Sequence, residues 1–185
     1  MNPPVSRAGS TPPPPHTRDY ASLRIAPGVR GDELLRAAIA SLWNAFGGSA
    51  PCSYSWVGFY FGPGESFDGV RAKAGEMILG PREPKPACSP ISLHGACGRA
   101  FLSGRPLVVR DVKALGENYI ACDPRDRSEV VIPICDTGGR VTGELDVDSF
   151  DVGAFSEADA IGLTLAMRRW GICRSSGDIS VESVG

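Results

Sequence analysis

The sequence predicts an α+β domain: a central antiparallel β-sheet with N- and C-terminal helices packed on one face. Three observations carry this. Long helical periodicity sits near the two ends of the chain. Short apolar runs fill the middle, many in hairpin succession. The regular strand–helix alternation of a doubly wound parallel sheet is missing.

The elements follow in order. Residues 1–28, with the run Pro12–Pro15 and flanking Ser, Thr and Gly, lack the apolar content for a core. They are expected to be a disordered tail, readable also as a ligand for a proline-binding module. "GDELLRAAIASLWNAFGG" has apolar residues at helical spacing, with Asp32 as the expected cap and Gly47-Gly48 as the stop. "YSWVGFYF" (54–61) reads as a strand. Its alternation puts Tyr54, Trp56, Gly58 and Tyr60 on one face and Val57, Phe59 and Phe61 on the other. "EMILG" is a further strand, then comes the Pro-rich loop "PREPKPACSP". "GACGRAFLSG" is a short helix stopped by Gly104. "PLVVRDV", "SEVVIPI" and "GRVTGELDVDS" are strands, the last two joined by the turn "CDTGG". "SEADAIGLTLAMRRW" opens on a Ser-x-x-Asp capping signal and is the C-terminal helix. The domain is expected over 29–173, with 174–185 a flexible tail.

Composition narrows the function. A formal net charge of -2 over 185 residues gives no basic patch for nucleic acid and no polybasic membrane segment. No apolar run is long enough to cross a bilayer, and no signal-peptide pattern opens the chain. A cytoplasmic protein is expected. Its six cysteines contain no C-x-x-C pair, and its two histidines lie far apart, so no metal site is expected. The cysteines are then either packing residues or redox groups.

Strand period gathers Glu144, Asp146 and Asp148 on one face, beside Glu129 on the partner strand. With a turn centred near Thr137 and Gly138, Glu129 falls opposite Asp146. The bland reading is a solvated acidic face. Yet like charges in register repel, and neither strand supplies a base to that face. An amine-bearing ligand would complete the charge. Repulsion would also keep a proton on one acid, which could be donated to a ligand oxygen. Trp56 and Tyr60 would add an aromatic wall.

Cys88, Cys97 and Cys122 lie in Gly- or Pro-containing segments, whereas Cys52, Cys135 and Cys173 read as packing residues. Cys97 stands near a helix N-terminus, a position that lowers thiol pKa. The motifs "SWVGFYF", "LGPREPKPAC", "GACG", "IACD", "SEVVIPI" and "GELDVDSFDVGAFSEAD" occur in the order and near spacing of the free methionine-(R)-sulfoxide reductases. These are GAF-domain enzymes, and the resemblance runs from about residue 30 to 170.

The resemblance implies roles. Cys122 matches the nucleophile, Cys88 the usual resolving cysteine, and Cys97 a second thiol for resolution or recycling. Glu129, Asp146 and Asp148 match acids that bind the substrate and its sulfoxide oxygen. Trp56 and Tyr60 match the wall around the substrate's methyl and sulfur. The implied substrate is free methionine sulfoxide, the implied reductant thioredoxin or a similar dithiol, and no cofactor is implied. Members often pair as dimers, so a homodimer is one assembly to test for. Departures are "LHGACG", which lacks the family's arginine and is one residue shorter from Cys88, and "GENYIACD", which lacks the family's histidine. Glu144 stands where an apolar residue is common and is left outside the site. The runner-up is a GAF sensor that binds a small molecule without turnover. The acids around Cys122 should keep its thiol protonated and slow until a substrate brings positive charge.

Overall fold

A computed structural model describes residues 18–118 and 122–185. Its centre is a seven-stranded sheet in the order β5-β4-β1-β8-β7-β6-β9. The strands are β1 (Trp56–Phe61), β4 (Glu76–Glu83), β5 (Ile91–Ser92), β6 (Leu107–Val109), β7 (Ser128–Cys135), β8 (Val141–Ser149) and β9 (Glu182–Val184). Neighbours pair antiparallel except β6 and β9, which are parallel. A small hairpin, β2 (Ser66–Phe67) with β3 (Val70–Arg71), lies apart. The α+β expectation therefore holds.

Helices α1 (Gly31–Phe46) and α3 (Glu157–Arg169) share one face of the sheet, as the sequence predicts. Ala38, Ile39 and Leu42 of α1 and Ala160, Leu163, Ala166 and Met167 of α3 are buried against Val57, Phe59, Val130, Ile132, Leu145 and Val147. Period 3.6 on the helices and period 2 on the strands meet here in one core. The capping box of α3 forms, with Ser156 N donating to Asp159 Oδ2 at 2.8 Å. Helix α1 differs from expectation: Arg30 is its N-cap, and Asp32 sits in the first turn.

The opposite face is covered by α2 (Gly95–Ser103) and the loops around it. Gly104 stops α2 in the left-handed region at φ 65°, as expected. Gly98 lets α2 close down, since a Cβ there would stand 2.1 Å from the backbone of Leu93.

Both tail boundaries need correction. Residues 1–17, with Pro12–Pro15, lie outside the described residues. Residues 18–28, assigned to the tail, pack on the domain. Tyr20 and Leu23 are buried in the main core. Arg18 pairs with Asp159 at 2.7 Å and lies over the rings of Tyr54 and Phe155. The stretch forms no helix or strand, so its apolar residues follow no period that reveals it; Tyr20, Leu23 and the cation of Arg18 hold it. At the other end, β9 adds to β6 although its sequence is polar, because backbone hydrogen bonds supply the pairing. Tyr54 also departs from expectation. It precedes β1, turns to the α1/α3 face, and its hydroxyl lies 2.8 Å from that of Tyr20.

Candidate active site

Three rungs across β7, β8 and β1 build the floor of a cleft on the α2 side. The first is Glu129–Asp148–Trp56, the second Val131–Asp146–Gly58, the third Pro133–Glu144–Tyr60. Glu129 thus faces Asp148, not Asp146. The turn holds one residue more than expected: Asp136 N donates to Arg140 O across Thr137-Gly138-Gly139, and the Asp136 carboxylate accepts from the N–H of Gly138 and Arg140. An irregularity in the ladder between Ile134 and Cys135 adds a second residue of shift, so the total slip is two and the same side chains stay on the same face.

Gly58 makes room in the middle rung. A Cβ at this position would stand 2.2 Å from the Trp56 indole, which lies across it. Trp56 Nε1 donates to Lys85 O at 2.9 Å, and Tyr60 Oη donates to Cys88 O at 2.9 Å. The aromatic pair, with centroids 6.1 Å apart, thereby anchors the Pro-rich loop that carries Cys88.

The cleft has two adjoining lobes. One holds about 470 Å³ of open space and is lined by Tyr60, Cys97, Cys122, Glu129, Asp146 and the start of α2. The other, about 440 Å³, lies against Trp56 and Lys85–Ala87. Cys122, Tyr60, Asp126, Asp146 and Asp148 border both. Seven of the eight residues expected in the site line the two lobes, and the eighth, Cys88, is held beside them by the Tyr60 hydroxyl. Cys88 and Cys122 are free, solvent-exposed and in contact at the mouth.

The acids are buried together. Glu129 and Asp146 are less than 10% exposed, at 7% and 6%, and Glu144 is fully buried. Glu129 Oε1, Asp146 Oδ1 and both oxygens of Glu144 have no hydrogen-bond partner among the described residues. Burial, then mutual repulsion, raises every one of these carboxyls. Asp146 is pushed up to about 7, chiefly by burial and against the hydrogen bond from Cys97. Glu129, Asp148 and Glu144 are also raised well above the usual carboxylate range, burial first and neighbouring carboxylates second. The cleft therefore holds protons at neutral pH that ordinary carboxylates would have lost.

The thiols follow the same logic. Cys122 is pushed up to about 12 by desolvation, by the Cys88 thiol and by Asp146, with the Cys88 backbone opposing. Cys97 corrects a sequence expectation. It is the third residue of α2, but burial and the charges of Asp146, Glu144 and Glu129 raise its pKa, overriding the helix terminus. Its Sγ donates to Asp146 Oδ2 at 3.5 Å. Cys97, Glu129 and Asp146 present ligand atoms within 4.8 Å of one another, although the sequence led to no metal site. They come from α2, β7 and β8, a convergence that linear spacing does not carry.

Sequence reasoning missed one residue. Asp126 is buried, accepts from Ser55 Oγ at 2.9 Å and borders both lobes. It lies in a loop, where no periodicity assigns a face. Glu144, placed by strand alternation with Asp146 and Asp148 and left outside the site, is fully buried beneath the cleft. Tyr119–Ala121 of the "YIACD" segment lie outside the described residues. Arg125 pairs with Asp123 at 2.8 Å.

Fold and cleft together define an α+β domain with a thiol-bearing, acid-floored cleft. Residues 32–169 match the GAF domain family. The structure resembles the free methionine-R-sulfoxide reductase of Neisseria meningitidis solved with its substrate, at 35% identity and a TM-score of 0.61, covering 74% of this chain and 72% of that one. Among curated relatives, the free methionine-R-sulfoxide reductase of Saccharomyces cerevisiae is 32% identical over 126 residues, 68% of this chain and 65% of the relative. Protein YtsP of Bacillus subtilis is 38% identical over 111 residues, 60% of this chain and 62% of the relative. The chain thus spans slightly under two thirds of these curated relatives. It belongs to the GAF domain family and, within it, to the free methionine-R-sulfoxide reductases.

Proposed function

We propose that this protein reduces free L-methionine (R)-S-oxide to L-methionine. The observation that carries the reading is the closeness of the Cys88 and Cys122 thiols beside a cleft floored by buried carboxyls without hydrogen-bond partners. A small-molecule sensor would leave that thiol pair without a role.

The substrate's α-ammonium enters the acid cluster, where a charged carboxylate receives it and a protonated neighbour donates to the sulfoxide oxygen. Trp56 and Tyr60 flank the thioether end. Cys122 sulfur attacks the substrate sulfur, its thiol proton is lost, and methionine leaves as the oxygen passes to Cys122 as a sulfenic acid. Cys88 attacks that sulfur, a disulfide forms and water leaves. A thioredoxin-type dithiol reduces the disulfide by exchange, so thiols carry both electrons and the reading includes no metal or organic cofactor. Cys97 is a reserve thiol for resolution. A cytoplasmic setting belongs to this reading, because the cycle consumes reducing equivalents. So does pairing of two copies, supported by the exposed Ile161 and Leu165 one turn apart on α3.

Selectivity for the free amino acid has a physical reason, since a methionine within a peptide has no ammonium to place among the acids. The test is turnover of racemic methionine sulfoxide with a dithiol donor. Methionine should form from the R epimer only, and Cys122→Ser should abolish it. No turnover, or equal consumption of both epimers, overturns the reading.

A further inference from the structure

The cleft has a second chemical character that the Cys122–Cys88 cycle does not use. Cys97 Sγ, a Glu129 oxygen and an Asp146 oxygen lie within 4.8 Å of one another. Two of them, Cys97 Sγ and Asp146 Oδ2, are already 3.5 Å apart. Donors sharing one tetrahedral ion at ~2.0–2.3 Å stand roughly 3–4 Å from each other, so a small inward adjustment closes the triangle. Helix α2 and strands β7 and β8 fix the three residues independently.

An independent observation points to a missing positive partner. Glu129 Oε1 and Asp146 Oδ1 are buried and have no hydrogen-bond partner among the described residues. The lysine and arginine nearest the cleft, Lys85 and Arg125, are both engaged with Asp123, and the remaining base at the lobe, His94, is the N-cap residue of α2. One thiolate with two carboxylates suits a borderline ion such as Zn²⁺. Mg²⁺ and Ca²⁺ take all-oxygen sets.

We propose that Cys97, Glu129 and Asp146 form a Zn²⁺-type metal site whose occupation excludes the substrate. Binding forms one Zn–S and two Zn–O bonds and releases to solvent the Cys97 thiol proton and any proton held by the two acids. No electrons move. The fourth position faces the cleft and takes water. The ion fills the place of the ammonium and removes the proton meant for the sulfoxide oxygen, so the metal-bound enzyme is inactive. The exclusion half rests on the function proposed above; the binding half does not.

The test uses the full reduced chain and Zn²⁺ in competition with a chromophoric chelator. One equivalent should bind per chain, more tightly as pH rises because protons are released. Cys88→Ser/Cys122→Ser should retain that equivalent. Loss of an outer-sphere partner costs roughly 10–100-fold in affinity, so loss of a direct ligand in Cys97→Ser or Asp146→Asn should cost at least that. Circular dichroism shows which variants are folded, and Co²⁺ in place of Zn²⁺ should show a single thiolate charge-transfer band. Absence of binding, loss in Cys88→Ser/Cys122→Ser, or wild-type affinity in both ligand variants overturns the site. Methionine sulfoxide should raise the apparent Kd for Zn²⁺, and a chelator should restore turnover. Tight Zn²⁺ binding indifferent to methionine sulfoxide overturns the exclusion. Absence of turnover in metal-free protein overturns the functional reading and leaves the metal site standing.

Discussion

Lys85 and Asp123 form an ion pair that joins the loop leading to Cys88 with the residue after Cys122. Arg125 grips the same carboxylate through Nε at 3.0 Å and Nη2 at 2.8 Å. These two bases hold the Asp123 carboxyl well below the usual range, Arg125 first and Lys85 second. An acid beside a nucleophilic cysteine looks counterproductive in sequence. Here its charge is spent on a clasp between the two thiol-bearing loops. Asp123→Ala should leave the first turnover intact and slow disulfide formation by roughly 10-fold or more, the scale of a modest misplacement of reacting groups. Trapping of the sulfenic acid in single-turnover experiments checks this. Unchanged sulfenic-acid lifetime would show that the clasp is not used.

The raised Cys122 pKa predicts a sluggish thiol. In substrate-free protein at neutral pH it should be alkylated at least roughly 10-fold more slowly than an unperturbed cysteine, because the thiolate is the reactive form. Mass mapping of iodoacetamide adducts over time reads this directly. Rapid labelling of Cys122 in the empty cleft would contradict the electrostatic account.

The acid cluster should make the empty enzyme less stable as pH rises. Asp146 titrates near 7 when folded and in the ordinary carboxylate range when unfolded. Its native state therefore binds the extra proton, and that stabilisation is full below about pH 4 and lost as pH rises through about 7. Burial is the first cause and the charge of Asp126 adds to it, while hydrogen bonds from the Cys97 thiol and the Val147 backbone oppose; Glu129, Glu144 and Asp148 face the same cluster. Asp146→Asn should flatten this limb of the unfolding midpoint against pH. A parallel slope in the variant would count against the assignment.

The amino-terminal boundary is testable by truncation. Removing residues 1–17 leaves every described contact in place, so the unfolding midpoint should hold. Removing 1–28 strips Arg18 from the buried Asp159 carboxylate and takes Tyr20 and Leu23 from the core. Breaking one buried ion pair alone costs about 3–5 kcal/mol. Loss of stability and expression is expected, in contrast to a dispensable tail. Equal denaturation midpoints for the two truncations would show that residues 18–28 contribute nothing.

Much of this was legible from periodicity. Val57 and Phe59 against Trp56 and Tyr60, and Leu145 and Val147 against Asp146 and Asp148, separate core from cleft by strand alternation alone. What escaped was set by tertiary contact. Asp126 gains meaning only when Ser55 reaches it. Cys97 reverses its expected pKa only when β7 and β8 bring acids under α2. The Glu129 partner slipped because Asp136 caps a longer turn and the ladder shifts once more between Ile134 and Cys135. Arg18 and Tyr20 lie in a stretch without helix or strand, where no period marks which residues face the core.

The polar strand Glu182–Val184 has a consequence beyond its three residues. Without it, Leu107–Val109, wholly apolar and fully buried, would end the sheet with open backbone donors and acceptors. Such an edge is a template for any passing extended chain. The short strand works as a stopper: Glu182 is tied to Arg99 on α2, and the new rim is polar and brief. Clipping the last few residues should leave the cleft chemically complete while turning the sheet into a surface that recruits its own kind.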